Sequence, residues 1–199
     1  SLSSAGIPIL ILIYITIAFT FRSFSQPILL FCLMPVSLIG VAWGHWIHGF
    51  PVNILSLLGV IALIGIMVND GLVLIGKFNN NLKQNFNFNE GLIDAGKSRF
   101  RAIFLTTATT VAGLTPLLLE KSRQAQWLKP MAISVSYGIA FATILTLILL
   151  PIFISLNNDL KVIFKWLVSG NYPDKEFVER AIIEKKKEQK MDQMNNPEN

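Results

Sequence analysis

The sequence predicts an all-α membrane protein, a polytopic bundle of five transmembrane helices. Three observations carry this reading. Hydrophobic residues make up 52% of the 199 and charged ones 15%, with a mean hydropathy of +0.54. That balance is too apolar for an ordinary soluble domain and excludes a disordered chain. Five apolar stretches, at about 5–21, 27–47, 52–76, 102–119 and 130–156, approach or exceed the ~17–25 residues a helix needs to cross a bilayer. An odd number of such segments does not suit an even-stranded barrel.

The net charge of +5 invites a nucleic-acid partner until it is located. Residues 157–199 carry eight basic and eight acidic residues, so the whole excess lies in the apolar part. Lysine and arginine placement then sets orientation. Arg22, the segment from Lys77 to Arg101 and the tail total fourteen; Lys121, Arg123 and Lys129 make three on the other side. The tail is therefore expected in the cytosol and the first residues outside, with no nucleic-acid partner. The lone Cys32 excludes a disulfide scaffold and a multi-cysteine metal site. It is expected to be buried in the second span.

Along the chain, Pro35 sits mid-span and should kink the second helix. Trp43, Trp46 and Trp127 fall near the outer interface, where aromatic belts form. Asn87 to Glu90 resembles a capping box that opens a short cytosolic helix toward Lys97. Pro130 suits the first turn of the fifth span. Leu160, Phe164, Leu167 and Val168 recur at helical spacing beside Lys161, Lys165 and Trp166, as in an amphipathic helix on the inner leaflet. Beyond Gly170 the charged end is expected to be exposed and flexible. The chain begins with Ser and has no secretory signal pattern. A piece of a longer polypeptide is expected.

One ionisable residue lies inside a span. Asp70 is seven residues before Lys77, about 10 Å along a helix. A charge at such depth is costly and normally faces a bundle interior or water. Ion or proton handling is one reading; a structural or snorkelling aspartate is the other. Ala62, Gly65, Asn69 and Gly76 share a small, polar face that lets a neighbouring helix approach closely. Asp70 lies about 100° from that stripe. In the fourth span Arg99, Thr106 and Gly113 repeat by seven, with Thr109 and Thr110 between. Such hydroxyls relay protons, or simply bond their own i−4 carbonyls. His45 and His48, one turn apart, lack further ligands beyond Asn53; a belt-edge role suits them better than a metal. No phosphate loop, nucleophile–base set or dinucleotide fingerprint occurs, so neither enzyme chemistry nor a cofactor is expected.

Several motifs in order resemble the second half of resistance-nodulation-division (RND) transporters. They are FRSF (21–24), GIMVNDGLVLI (65–75), Glu90-Gly91, AGKSRFR (95–101), LTTATT (105–110), GLTP (113–116), EKSRQAQ (120–126) and PMAIS (130–134). The resemblance covers about residues 5–156 and implies the last five helices of a twelve-helix pump. Such pumps expel drugs, metals or other amphiphiles by proton influx, usually as homotrimers. Many join a periplasmic adaptor and an outer-membrane channel. The resemblance places Asn69 where many drug pumps carry a lysine, Arg99 at a relay arginine and Thr106 at a relay threonine. Asn69 and Asp70 would then face the fourth helix of the missing N-terminal half, with the proton gradient as energy source. Two alternatives stay open: a non-transporting membrane scaffold, and a relative that acts on lipids or protein export.

Overall fold

The computed structural model describes residues 2–21, 23, 25–170 and 175–195. Among these there is no strand. Helix α1 is Leu2–Phe21, α2 Ser25–His48, α3 Ile54–Lys83, α4 Phe88–Leu119 and α5 Arg123–Ser169. A short 3-10 turn, Lys175–Val178, precedes α6, Arg180–Asn195. Among the described residues, Ser25–His48, Ile54–Lys83, Phe88–Leu119 and Arg123–Leu167 are long and apolar enough to cross a membrane, and Ile11–Thr20 is a shorter apolar helix. Arg22, the side chain of Val168 and residues 196–199, all used above, lie outside the described residues.

α5 is the central post, with α2, α3 and α4 packed around it and α1 against α2. Small residues permit the close approach. A Cβ on Gly40 would meet Phe141 Cβ and the Tyr137 carbonyl, and one on Gly59 the Met131 carbonyl. The core between these helices includes Leu33, Leu63, Leu74, Ile139 and Leu150, all essentially buried. Toward the opposite end Phe78 and Phe88 stack edge to face, centroids 5.4 Å apart.

Four expectations about element boundaries need correction. No separate helix precedes the fourth span: α4 runs unbroken from Phe88, and only residues 84–87 separate it from α3. Asn87 does occupy the N-cap but makes no side-chain cap bond. The buried Phe88 side chain fixes that turn instead. The capping box lies at α3, where Asn53 Oδ1 accepts from Ser56 N at 3.0 Å and Ser56 Oγ from Asn53 N at 3.2 Å. Pro130 lies well inside α5, which starts at Arg123 behind the N-cap Ser122. The helix also continues past residue 156 to Ser169, ending where Gly170 takes a left-handed conformation (φ 71°). Pro35 likewise sits within a continuous α2.

The described residues of the charged tail, 175–195, dock against the bundle. The buried Glu179 accepts from Asn158 Nδ2 at 2.8 Å and pairs with Lys161 Nζ at 3.2 Å. Lys175 pairs with Asp159 at 2.8 Å. Farther on, Lys185 Nζ donates to the Lys83 carbonyl at 2.6 Å and to Asn85 Oδ1 at 2.8 Å. That places an ammonium on the C-terminal carbonyls of α3, the favourable end of the helix dipole.

Candidate functional site

α3 positions the acidic residue. Asp70 is 7% exposed and makes no hydrogen bond or ion pair among the described residues. Asn69, its neighbour, is exposed. The two side chains leave α3 about 100° apart, so one points inward and the other onto the open face. On that face Ala62 and Gly65 are exposed and Gly76 half-buried. A Cβ on Gly65 would meet nothing within 4 Å, and the same holds for Gly113 on α4. The glycines that do permit close packing inside the chain are others, Gly40, Gly59 and Gly138 among them. Gly71, next to Asp70, is packed tightly under Leu30.

α4 carries the hydroxyls, but they divide into two groups. Thr106 donates to the Ala102 carbonyl at 3.0 Å, Thr110 to Thr106 O at 2.8 Å and Thr109 to Leu105 O at 2.9 Å. These hydroxyls back-bond their own helix, the bland alternative that the spacing left open. The interhelical hydroxyl is Thr107, which sequence reasoning passed over. It is buried and hydrogen-bonded to Thr143 of α5 at 2.5 Å. In the folded bundle Ala95, Ile103 and Thr107 are buried together on α4. Arg99 is half-buried between them, and its Nε is a buried donor with no partner. Asp70, Arg99 and the threonines therefore lie on neighbouring helices, but among the described residues no hydrogen bond joins them into one chain.

Toward the Lys77 end the α3–α4 hairpin is clasped by polar groups. Buried Asn81 donates to the Gly91 carbonyl at 2.9 Å and to Asp94 Oδ2 at 2.8 Å. Lys77 approaches the same carboxylate oxygen at 3.4 Å. Gln26 and Asn79 exchange reciprocal amide bonds at 3.0 and 3.2 Å, tying α2 to α3. At the opposite end two histidines tie α2 to α5. His45 is buried, not at a belt edge: Nδ1 donates to the Phe50 carbonyl at 3.0 Å and Nε2 lies 3.0 Å from the Ser134 hydroxyl. His48 Nε2 is 3.0 Å from the Tyr137 hydroxyl. Both rings are thus bonded to protein, and no cluster of three His, Cys, Asp or Glu occurs among the described residues. Cys32, expected inside, is exposed because its side of α2 faces away from α5. Trp43, Trp46 and Trp127 are exposed, as an aromatic belt requires.

Residues 2–157 match the AcrB/AcrD/AcrF family. The chain belongs to that family. Within it, the chain is 29% identical over 142 residues to the swarming motility protein SwrC of Bacillus subtilis. It is 27% identical over 143 residues to the cobalt-zinc-cadmium resistance protein CzcA of Cupriavidus metallidurans. These alignments cover 71% and 72% of the chain but 14% of each relative. Two crystal forms of a heavy metal efflux pump superpose with TM-scores of 0.69 and 0.60 at 27% and 26% identity. They cover 77% and 72% of the chain, and 16% and 15% of the pump. The chain therefore spans about a seventh of the length of these AcrB/AcrD/AcrF-family relatives. Asp70, Asn69, Arg99 and the threonines all fall within the matched segment.

Proposed function

We propose that this chain is the C-terminal transmembrane part of a proton-coupled RND efflux transporter in a bacterial inner membrane, with its tail in the cytosol. Its substrates would be drugs, metals or other amphiphiles, metals being the class that the names of CzcA and the heavy metal efflux pump favour. Homotrimer assembly, a periplasmic adaptor and an outer-membrane channel belong to the same reading.

The observation that carries it is the pair Asn69–Asp70 within an apolar span. A carboxyl group buried there without a partner costs free energy that packing alone does not require. Asn69 beside it points onto a face where Gly65 leaves room for another helix. Protonation of acidic groups on that helix would change what Asn69 meets, and Asp70, on the same turn, would respond by gaining or losing its own proton. Arg99 supplies a fixed positive charge on α4 to balance a carboxylate state. Thr106 is the hydroxyl at the family's relay position, Thr110 lies one turn on, and their bonds to backbone would be exchanged for water.

The test uses the full-length transporter in vesicles with an imposed proton gradient. Asp70→Asn and Asn69→Ala should each reduce gradient-driven export at least tenfold, with protein level and assembly unchanged. Wild-type export rates in both variants would sink the reading.

A further inference from the structure

The lipid-type face of α5 does not stop where the span should. Ile152, Leu156, Leu160 and Phe164 follow one another at four-residue intervals within about 120° of the helix circumference, and every one is between 53% and 72% exposed. Leu167, 70% exposed, extends the row by a further turn. The polar residues Asn157, Asn158 and Asp159 interrupt the sequence at this point but not the row. From residue 158 onward the opposite side of the helix is occupied. Asn158 and Lys161 hold Glu179 there, and Val162 is fully buried. Successive residues rotate by about 100°, which puts Leu160, Phe164 and Leu167 some 120–180° away from Asn158.

Length makes this face informative. From Trp127 to Leu167 is forty residues, about 60 Å of helix. A bilayer with its headgroups is about 40–45 Å thick. An upright α5 would carry Leu167 about 15 Å into water. A tilt of about 40°, the steep end of what spans adopt, shortens the projection to about 45 Å, which brings Leu160 to about the headgroup–acyl boundary and keeps Leu167 within the headgroup layer.

We propose that residues 157–169 are a lipid-contacting arm, lying in the interfacial region of the leaflet on the tail's side, from the headgroup–acyl boundary outward. The Glu179 clasp braces its polar face and so fixes which side meets lipid. The occupant is phospholipid, because the exposed row is continuous with the one the span presents inside the membrane. It is flanked by Trp166 and Lys165, residue types that favour the interface. The spacing alone suggested a separate helix. The structure shows instead one helix that leaves the span without a break and a folded tail that orients it.

Nitroxide labels on single cysteines at positions 158 through 167, in full-length protein with Cys32→Ser, test this in vesicles of mixed zwitterionic and anionic phospholipid. At 160, 163, 164 and 167, collisions with dissolved oxygen should exceed those with an aqueous nickel chelate. At 165 the order should reverse. Chelate-dominated collisions at the four apolar positions would show them in water and overturn the proposal. Exclusion of both reagents there would show protein covering the row, and would overturn it equally. The readout needs no transport, so it stands apart from the fate of the coupling site.

Discussion

Asp70 and Asn69 are adjacent in sequence yet occupy opposite kinds of surroundings, one buried and one on an open face. The sequence made the pair conspicuous, since an aspartate amid apolar residues is costly at that depth. It did not reveal which hydroxyl faces a neighbour. Thr106 and Thr107 differ by one position and therefore by about 100° around the helix. Only packing against α5 selects Thr107. Thr107→Val should leave the Thr143 hydroxyl buried without its partner and cost roughly 1–3 kcal/mol. The double change with Thr143→Val should cost less than the single one, measured by thermal unfolding in detergent. Two glycines offer a sharper contrast. Gly40→Val drives side-chain atoms into Phe141 and a carbonyl, and overpacking of this kind costs typically ~1–3 kcal/mol. Gly65→Ala meets open space and should leave the unfolding midpoint of this chain unchanged.

At the scale of elements, helix existence was legible and helix ends were not. Apolar runs announce a span, but a span's polar extension depends on what docks against it. α5 continues to Ser169 because Asn158 and Lys161 find Glu179 some twenty residues onward. No local pattern encodes that meeting. Glu179→Ala removes the shared carboxylate, so α6 should detach. Trypsin cleavage after Lys185, Lys186 and Lys187 should then accelerate several-fold while the bundle resists. The α4–α5 turn gives a pH prediction. Glu120 lies below the usual glutamate value because its carboxylate accepts from the backbone amides of Ser122 and Lys121. A carboxyl group lowered on folding stabilises above its unfolded value, and that contribution is lost as pH falls through the folded one. The turn should therefore hold at neutral pH and loosen only in acid below the ordinary glutamate range. Amide hydrogen exchange at Lys121 and Ser122 measures this.

The whole molecule is lopsided. Only 11% of the apolar window of α4 is buried, against 44% for α2 and α3. Together with Ala62, Gly65 and Gly113, that leaves one side of the bundle with small and apolar residues facing outward. The all-helical bundle and the motif order were readable from residue types alone. The uneven burial was not, because an apolar residue reads the same whether lipid or protein covers it. Ala62→Leu with Gly113→Leu should leave the unfolding of this bundle intact. In the full-length transporter the same pair should abolish export if another helix packs there, which transport and unfolding assays on one preparation separate. The 47-residue α5 has a mechanical consequence. It is bound to α2 near one end by the two histidines and to the tail at the other by Glu179. A single rod about 70 Å long therefore joins the His45–Ser134 contact to the Glu179 clasp, with no loop between them to absorb a displacement.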